Sequence, residues 1–150
     1  MNLLSIGGSN SKNSINRLFA NYTASLLQKE FDSIDISTLD LPLFSVDLEA
    51  QIGSPALILE LSKKIDASDL IVLSLAENNG SYNVGFKNFM DWLSRIKDRK
   101  TWADKKMLLL STSPGARGGV TVLEQAKGYF PFMGAQLVGT FSLPKFYENF

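Results

Sequence analysis

The chain has 150 residues, of which 45% are hydrophobic and 20% charged, and its 15 basic side chains balance its 15 acidic ones. A single domain with a substantial core is expected, disorder is not, and a chain without a basic surplus offers no general attraction for nucleic acid or an anionic membrane. The absence of Cys and His removes disulfides, thiol nucleophiles, Cys/His zinc sites and every imidazole triad. Any chemistry must come from carboxylates, hydroxyls, lysine or a bound cofactor.

The opening residues MNLLSIGG lack the basic start and long apolar run of a secretory signal. No stretch approaches the roughly 20 apolar residues that span a bilayer, so the cytoplasm is the expected location.

In chain order, residues 2–6 form an apolar run stopped by Gly7 and Gly8, which reads as a buried strand. Ser14 then precedes Ile15, Leu18, Phe19, Tyr22 and Leu26 at helical spacing. A weak second strand is expected over 33–37, followed by a loop holding Leu41, Pro42 and Phe44. A second helix starts near Pro55, where proline suits the first turn. Residues 69–74 (DLIVLS) read as a third strand, and Phe86, Phe89, Met90, Leu93 and Ile96 mark a third helix. Residues 106–112 (KMLLLST) read as a fourth strand, Leu123, Ala126, Phe130 and Met133 mark a fourth helix, and residues 136–142 read as a fifth strand.

This alternation predicts an α/β fold, a doubly wound five-stranded parallel sheet with helices on both faces, within one domain spanning 1–150. The unbroken apolar runs of strands one, three and four agree, because central parallel strands are buried on both sides. In the flavodoxin-like order 2-1-3-4-5, ligands bind beyond the carboxyl ends of the strands, at the switch point between strands one and three. The informative loops are therefore 7–16 (GGSNSKNSIN), 76–85 (AENNGSYNVG) and 113–119 (SPGARGG). All three are rich in Gly, Ser and Asn, so backbone amides can approach a ligand closely. The first also opens a helix, whose free amides and dipole suit a phosphate. It contains neither a P-loop nor a G-x-G-x-x-G fingerprint. A phosphoacceptor receiver domain is excluded as well, since Glu77 is the only acid near the ends of strands one and three.

These loops resemble those of the NADPH-dependent FMN reductase family, which includes azo-dye, quinone and chromate reductases. Gly8, Ser9, Ser14, Asn16 and Arg17 match its first loop. Glu77, Asn79, Gly80, Ser81, Lys87, Asn88, Asp91 and Trp92 match its second, and Ser111, Ser113, Pro114, Gly115, Gly118 and Gly119 approximate its third. The resemblance covers nearly the whole chain.

It implies an FMN-dependent oxidoreductase that passes electrons from NADPH or NADH to a small-molecule acceptor, with no catalytic proton-transfer residue of its own. A flavodoxin-like electron carrier and a flavin-free interaction module are the alternatives. By the resemblance, Ser9, Ser11, Ser14 and Asn16 would hold the FMN phosphate and Ile15 would pack near the ribityl chain. Glu77, Asn78, Asn79, Gly80 and Ser81 would follow the isoalloxazine edge, and Ser113, Pro114 and Gly115 would close the other side. Ser11 stands where the family usually has Arg, Asn78 where it has Tyr, and Asn83 where Pro is common.

Lys87, Asp91 and Arg95 read as an ion-pair row on one helix face. Only residues 143–150 (LPKFYENF) follow strand five, so the usual last helix is expected to be absent or truncated. The face around Ile15, Phe19, Tyr22 and Leu26 would then be covered by a second copy of the chain, or partly by Phe146, Tyr147 and Phe150. The resemblance implies a homodimer or homotetramer, with Phe89, Met90, Trp92 and Phe130 as candidate contacts.

Overall fold

The computed structural model describes residues 1–150. The strands β1 (Leu3–Gly8), β2 (Asp32–Asp35), β3 (Leu70–Leu75), β6 (Lys105–Thr112) and β7 (Ala135–Leu143) form one sheet in the order β2-β1-β3-β6-β7. Every pairing is parallel. Numbered among main-sheet strands alone, this is the expected order 2-1-3-4-5.

Side chains alternate across the sheet, and the two faces have different covers. On one face Leu3, Val72 and Leu110 meet Phe19, Ala20 and Ala24 of α1 (Ile15–Leu27). On the other, Leu4, Ile6, Ile71, Leu73, Met107 and Leu109 meet α3 (Ala56–Ala67), α4 (Val84–Leu93) and α5 (Val120–Tyr129). Phe86, Phe89, Trp102 and Phe130 are buried among these helices.

Several expected boundaries move. β1 continues through Gly7 and Gly8, which pair with Ser74 and Leu75. Glycine serves here as a spacer: a Cβ on Gly7 would lie 2.6 Å from the Cα of Arg17, so its absence lets α1 sit directly on the strand. β2 ends at Asp35, and Ile36–Thr38 turn into a short 3-10 helix started by Asp35, whose carboxylate accepts the Ser37 amide at 3.0 Å. A short helix α2 (Val46–Ile52) occupies what reads as loop, and a two-stranded hairpin, β4 (Glu77–Asn78) and β5 (Ser81–Tyr82), stands inside the second loop.

After β7 comes a four-residue helix, α6 (Phe146–Asn149). Phe146 is buried on the α1 face, and the Phe150 ring lies 5.2 Å from Tyr22 and 6.2 Å from Phe19. These two aromatics cover part of α1 as anticipated, while Tyr147 points elsewhere. Leu18, Tyr22, Leu26 and Phe141 remain exposed. Phe89, Met90, Trp92 and Phe130, expected at a contact between copies, are buried inside the chain's own core. Their apolar spacing packs the helices onto the sheet, and they are unavailable to a partner.

Candidate functional site

The carboxyl ends of β1, β3 and β6 are nearly level, since Gly8 pairs with Leu75 and Leu75 with Ser111. Three helices begin just beyond them, and each start is capped. The Ser14 hydroxyl accepts the Arg17 amide of α1 at 3.1 Å. The Asn83 side chain accepts the Gly85 amide of α4 at 3.0 Å. α5 starts at Gly119 without a side-chain cap of its own, and the Glu77 carboxylate accepts the Val122 amide at 3.0 Å. Three positive dipole ends therefore converge on the ends of the central strands.

A cavity of about 180 Å³ lies there. Its lining brings together Ser9, Ser11, Ser14, Ile15, Asn16, Glu77, Ser113 and Pro114, eight of the thirteen candidate residues. The other five do not line it. Gly115 sits one residue further along the third loop. Asn78, Asn79, Gly80 and Ser81 form the hairpin that rises beside it. Asn79 and Gly80 both have positive φ, 51° and 75°, as a tight hairpin turn requires. The Asn78 carboxamide oxygen accepts from Asn83 at 3.0 Å, and the Ser81 hydroxyl bonds Gln125 at 3.2 Å.

The first loop is organised by its own small side chains. The Ser9 hydroxyl accepts the Ser11 amide at 3.2 Å and the Ser11 hydroxyl accepts the Asn13 amide at 3.3 Å. The backbone amides of Lys12, Ser14, Ile15 and Asn16 have no partner within the chain. Free amides at a helix start, ringed by hydroxyls and with no acidic side chain in the loop, suit a phosphate. This donor set fits the terminal phosphate of a flavin nucleotide.

Asn16 differs from expectation. It is buried, its amide donates to the Thr112 carbonyl at 3.1 Å, and its oxygen accepts both the Thr112 amide at 3.1 Å and the Ser74 hydroxyl at 2.7 Å. The side chain is spent holding β3 and β6 together beneath the site, leaving only its backbone amide for an anion.

Residues outside the candidate set complete the frame. Asn10 and Asn83 exchange hydrogen bonds: the Asn10 amide donates to the Asn83 oxygen at 3.1 Å, and the Asn83 side chain donates to the Asn10 oxygen at 3.0 Å. The first and second loops are thereby clasped. Arg17 pairs with Asp35 and donates to the Lys12 carbonyl at 2.8 Å. Burial pushes the Asp35 carboxyl up, but hydrogen bonds from Ser37 and the charge of Arg17 outweigh it and hold the group below its ordinary range. The Asn88 carboxamide accepts the Phe44 amide at 2.8 Å, while Asn88 and Trp92 both donate to the Pro42 carbonyl, at 3.1 and 2.7 Å. These two motif residues latch the 41–44 loop. Lys87 pairs with Asp91 at 2.6 Å as expected of the ion-pair row, but Arg95 leaves it and binds Glu49 of α2 at 2.9 Å. Burial pushes the Tyr82 phenol up to about 12, so it stays protonated at neutral pH. Thr112, Asn13 and Tyr147 also line the cavity; nothing in the local sequence marks Tyr147, more than a hundred residues from the first loop.

A larger groove of about 760 Å³ lies at the opposite end of β1, between residues such as Gln28, Glu30, Lys63 and Lys64. It lies away from the switch point and from all three helix starts, where sheets of this kind bind ligands.

The fold and the site define a flavodoxin-like α/β domain with a set of free backbone amides at its switch point. A model of the family described as NADPH-dependent FMN reductase matches residues 1–148, and the chain belongs to that family. It is 32% identical over 102 residues to a quinone reductase of Escherichia coli K12, covering 68% of this chain and 54% of that protein. It is 37% identical over 90 residues to an NADPH:quinone oxidoreductase of Arabidopsis thaliana, covering 60% of this chain and 44% of that protein. The chain thus spans about half the length of these two curated relatives. Among solved structures it is similar to FerB, a flavoenzyme NAD(P)H:(acceptor) oxidoreductase from Paracoccus denitrificans. That match has a TM-score of 0.76 at 28% identity and covers 91% of this chain and 74% of the other. No helix is long and apolar enough to cross a membrane.

Proposed function

We propose that this protein binds FMN at the ends of β1, β3 and β6 and uses it to pass electrons from NADPH or NADH to a small acceptor of the quinone type. The observation that carries this reading is the set of unpartnered amides at Lys12, Ser14, Ile15 and Asn16, beside the hydroxyls of Ser9, Ser11 and Ser14. Family membership supports the choice of FMN, and the names of the relatives support the acceptor class.

When bound, FMN supplies the hydride-accepting and electron-returning chemistry. The amides and hydroxyls of the first loop would hold its phosphate. The hairpin residues Glu77 to Ser81 would border the isoalloxazine, and Ser113 to Gly115 would close the opposite side. Glu77 would do so with its carboxylate held on the Val122 amide. Donor and acceptor would use the same exposed flavin face in turn.

Steady-state rates of NADPH oxidation with a benzoquinone, with and without added FMN, test this. FMN-dependent turnover with parallel initial-rate lines is expected. FMN-independent turnover, or intersecting lines, would count against a shared flavin face.

The reading extends to a cytoplasmic homodimer or homotetramer, drawing on the cell's soluble nicotinamide pool. Exposed Leu18, Tyr22, Leu26 and Phe141 on the α1 face support association, because apolar surface gathered in one place is uncommon on a monomer. A monomer mass by light scattering at tens of micromolar would remove it.

A further inference from the structure

We propose that Tyr147 is a cofactor-contact residue, its ring forming the aromatic wall of the cavity over bound FMN. The inference rests on the reading of that cavity as the FMN site. Tyr147 is the only aromatic side chain lining it, and it comes from α6, an element unrelated to the three loops that build the rest of the site.

Two backbone hydrogen bonds dock this segment onto the third loop. The Lys145 amide donates to the Gly115 carbonyl at 2.9 Å, and the Phe146 amide donates to the Ser113 carbonyl at 3.0 Å. The bend that permits this puts Lys145 in the left-handed region, at φ 48°. Phe146 anchors the segment from below: it is buried with Phe19, Ala20 and Leu110, and its ring stacks on Phe150 with centroids 4.6 Å apart. The next side chain, Tyr147, is thereby turned to the cavity, edge-on to Phe146 at 5.4 Å.

Tyr147 itself remains 76% exposed, and its hydroxyl has no partner within the chain. A large ring held in water on a fixed anchor is a preorganised stacking surface, with little ordering left to be done on binding. The cavity already has donors in excess, in its free amides and serine hydroxyls. What it lacks is flat apolar surface, which Pro114 and Tyr147 alone provide beyond Ile15 and Ala76. The ring, rather than the hydroxyl, is therefore the contact.

The experiment is titration of the apoprotein with FMN, followed by flavin fluorescence, for the wild type, Tyr147→Ala and Tyr147→Phe, with apoprotein melting temperatures in parallel. Loss of a stacked aromatic from a nucleotide site weakens binding by about tenfold or more, and that is expected for Tyr147→Ala, with the melting temperature unchanged because the side chain is exposed. Tyr147→Phe keeps the ring and is expected to stay within about twofold of wild type. Wild-type affinity in Tyr147→Ala would overturn the inference while leaving the cofactor reading intact. Equal weakening in both variants would assign the contact to the hydroxyl and overturn it as well. A wild-type chain that binds no FMN would overturn the cofactor reading and this inference together.

Discussion

Asn16 and Thr112 are joined by a reciprocal pair of hydrogen bonds, side-chain amide to carbonyl and backbone amide to side-chain oxygen, each 3.1 Å long. With the Ser74 hydroxyl on the same oxygen at 2.7 Å, one buried carboxamide ties the first turn of α1 to the ends of β3 and β6. The first loop is thus fastened to the two strands that carry the other loops. Asn16→Ala strands a buried amide, a carbonyl and a hydroxyl, at a cost of about 1–3 kcal/mol per unsatisfied group. Urea denaturation of the apoprotein is expected to show that loss. Wild-type stability would show that the clasp is not needed.

The Ser14 hydroxyl caps α1 and also lines the cavity at the switch point. Ser14→Ala is expected to lower apoprotein stability by about 1 kcal/mol through the lost cap. FMN binding should weaken by roughly 1.5–3 kcal/mol, the range for a hydrogen bond to a charged group. A dissociation constant equal to wild type would remove the Ser14 hydroxyl from the site.

Gly7 sets how closely α1 approaches β1. A methyl group there would meet the Cα and Cβ of Arg17 at 2.6 Å, and backbone cannot yield as a flexible side chain can. Gly7→Ala is expected to destabilise the fold by about 1–3 kcal/mol, the usual cost of overpacking, and to weaken FMN binding by displacing the start of α1. Unchanged melting temperature and affinity together would contradict this.

Glu77 is expected to matter more for α5 than for electron transfer. Its carboxylate accepts the Val122 amide at 3.0 Å. Glu77→Ala should cost about 1 kcal/mol, as loss of a helix cap does. Glu77→Gln keeps an acceptor and should lose only the charge-dipole part, about 0.3–1 kcal/mol. If Glu77→Gln unfolds as readily as Glu77→Ala, the cap is not the carboxylate's main task.

Much of this was legible in the sequence for a simple reason. The middles of β1, β3 and β6 are buried on both faces, so their residues are mostly apolar and do not alternate with polar ones, and that pattern is visible without a structure. The same burial explains the helical spacing of Phe86, Phe89, Met90 and Leu93, all inside the core; burial in the chain's own core and burial between copies leave the same apolar spacing. α2 is not legible in the sequence because none of its residues is buried, so no apolar stripe marks it. The β4–β5 hairpin did leave a signal, the Asn79-Gly80 pair, but its two-residue strands are too short to alternate. The task of Asn16 was hidden because its partner lies 96 positions away, and side-chain type alone cannot separate an anion ligand from a strut.

Calorimetric titration of purified apoprotein with FMN shows whether the switch point of this sheet holds the cofactor. One FMN per chain is predicted, with FAD binding much more weakly because the free amides at Lys12, Ser14, Ile15 and Asn16 would enclose a terminal phosphate. The absence of any binding heat, together with an unshifted melting temperature at saturating FMN, would mean that the switch point does not hold FMN.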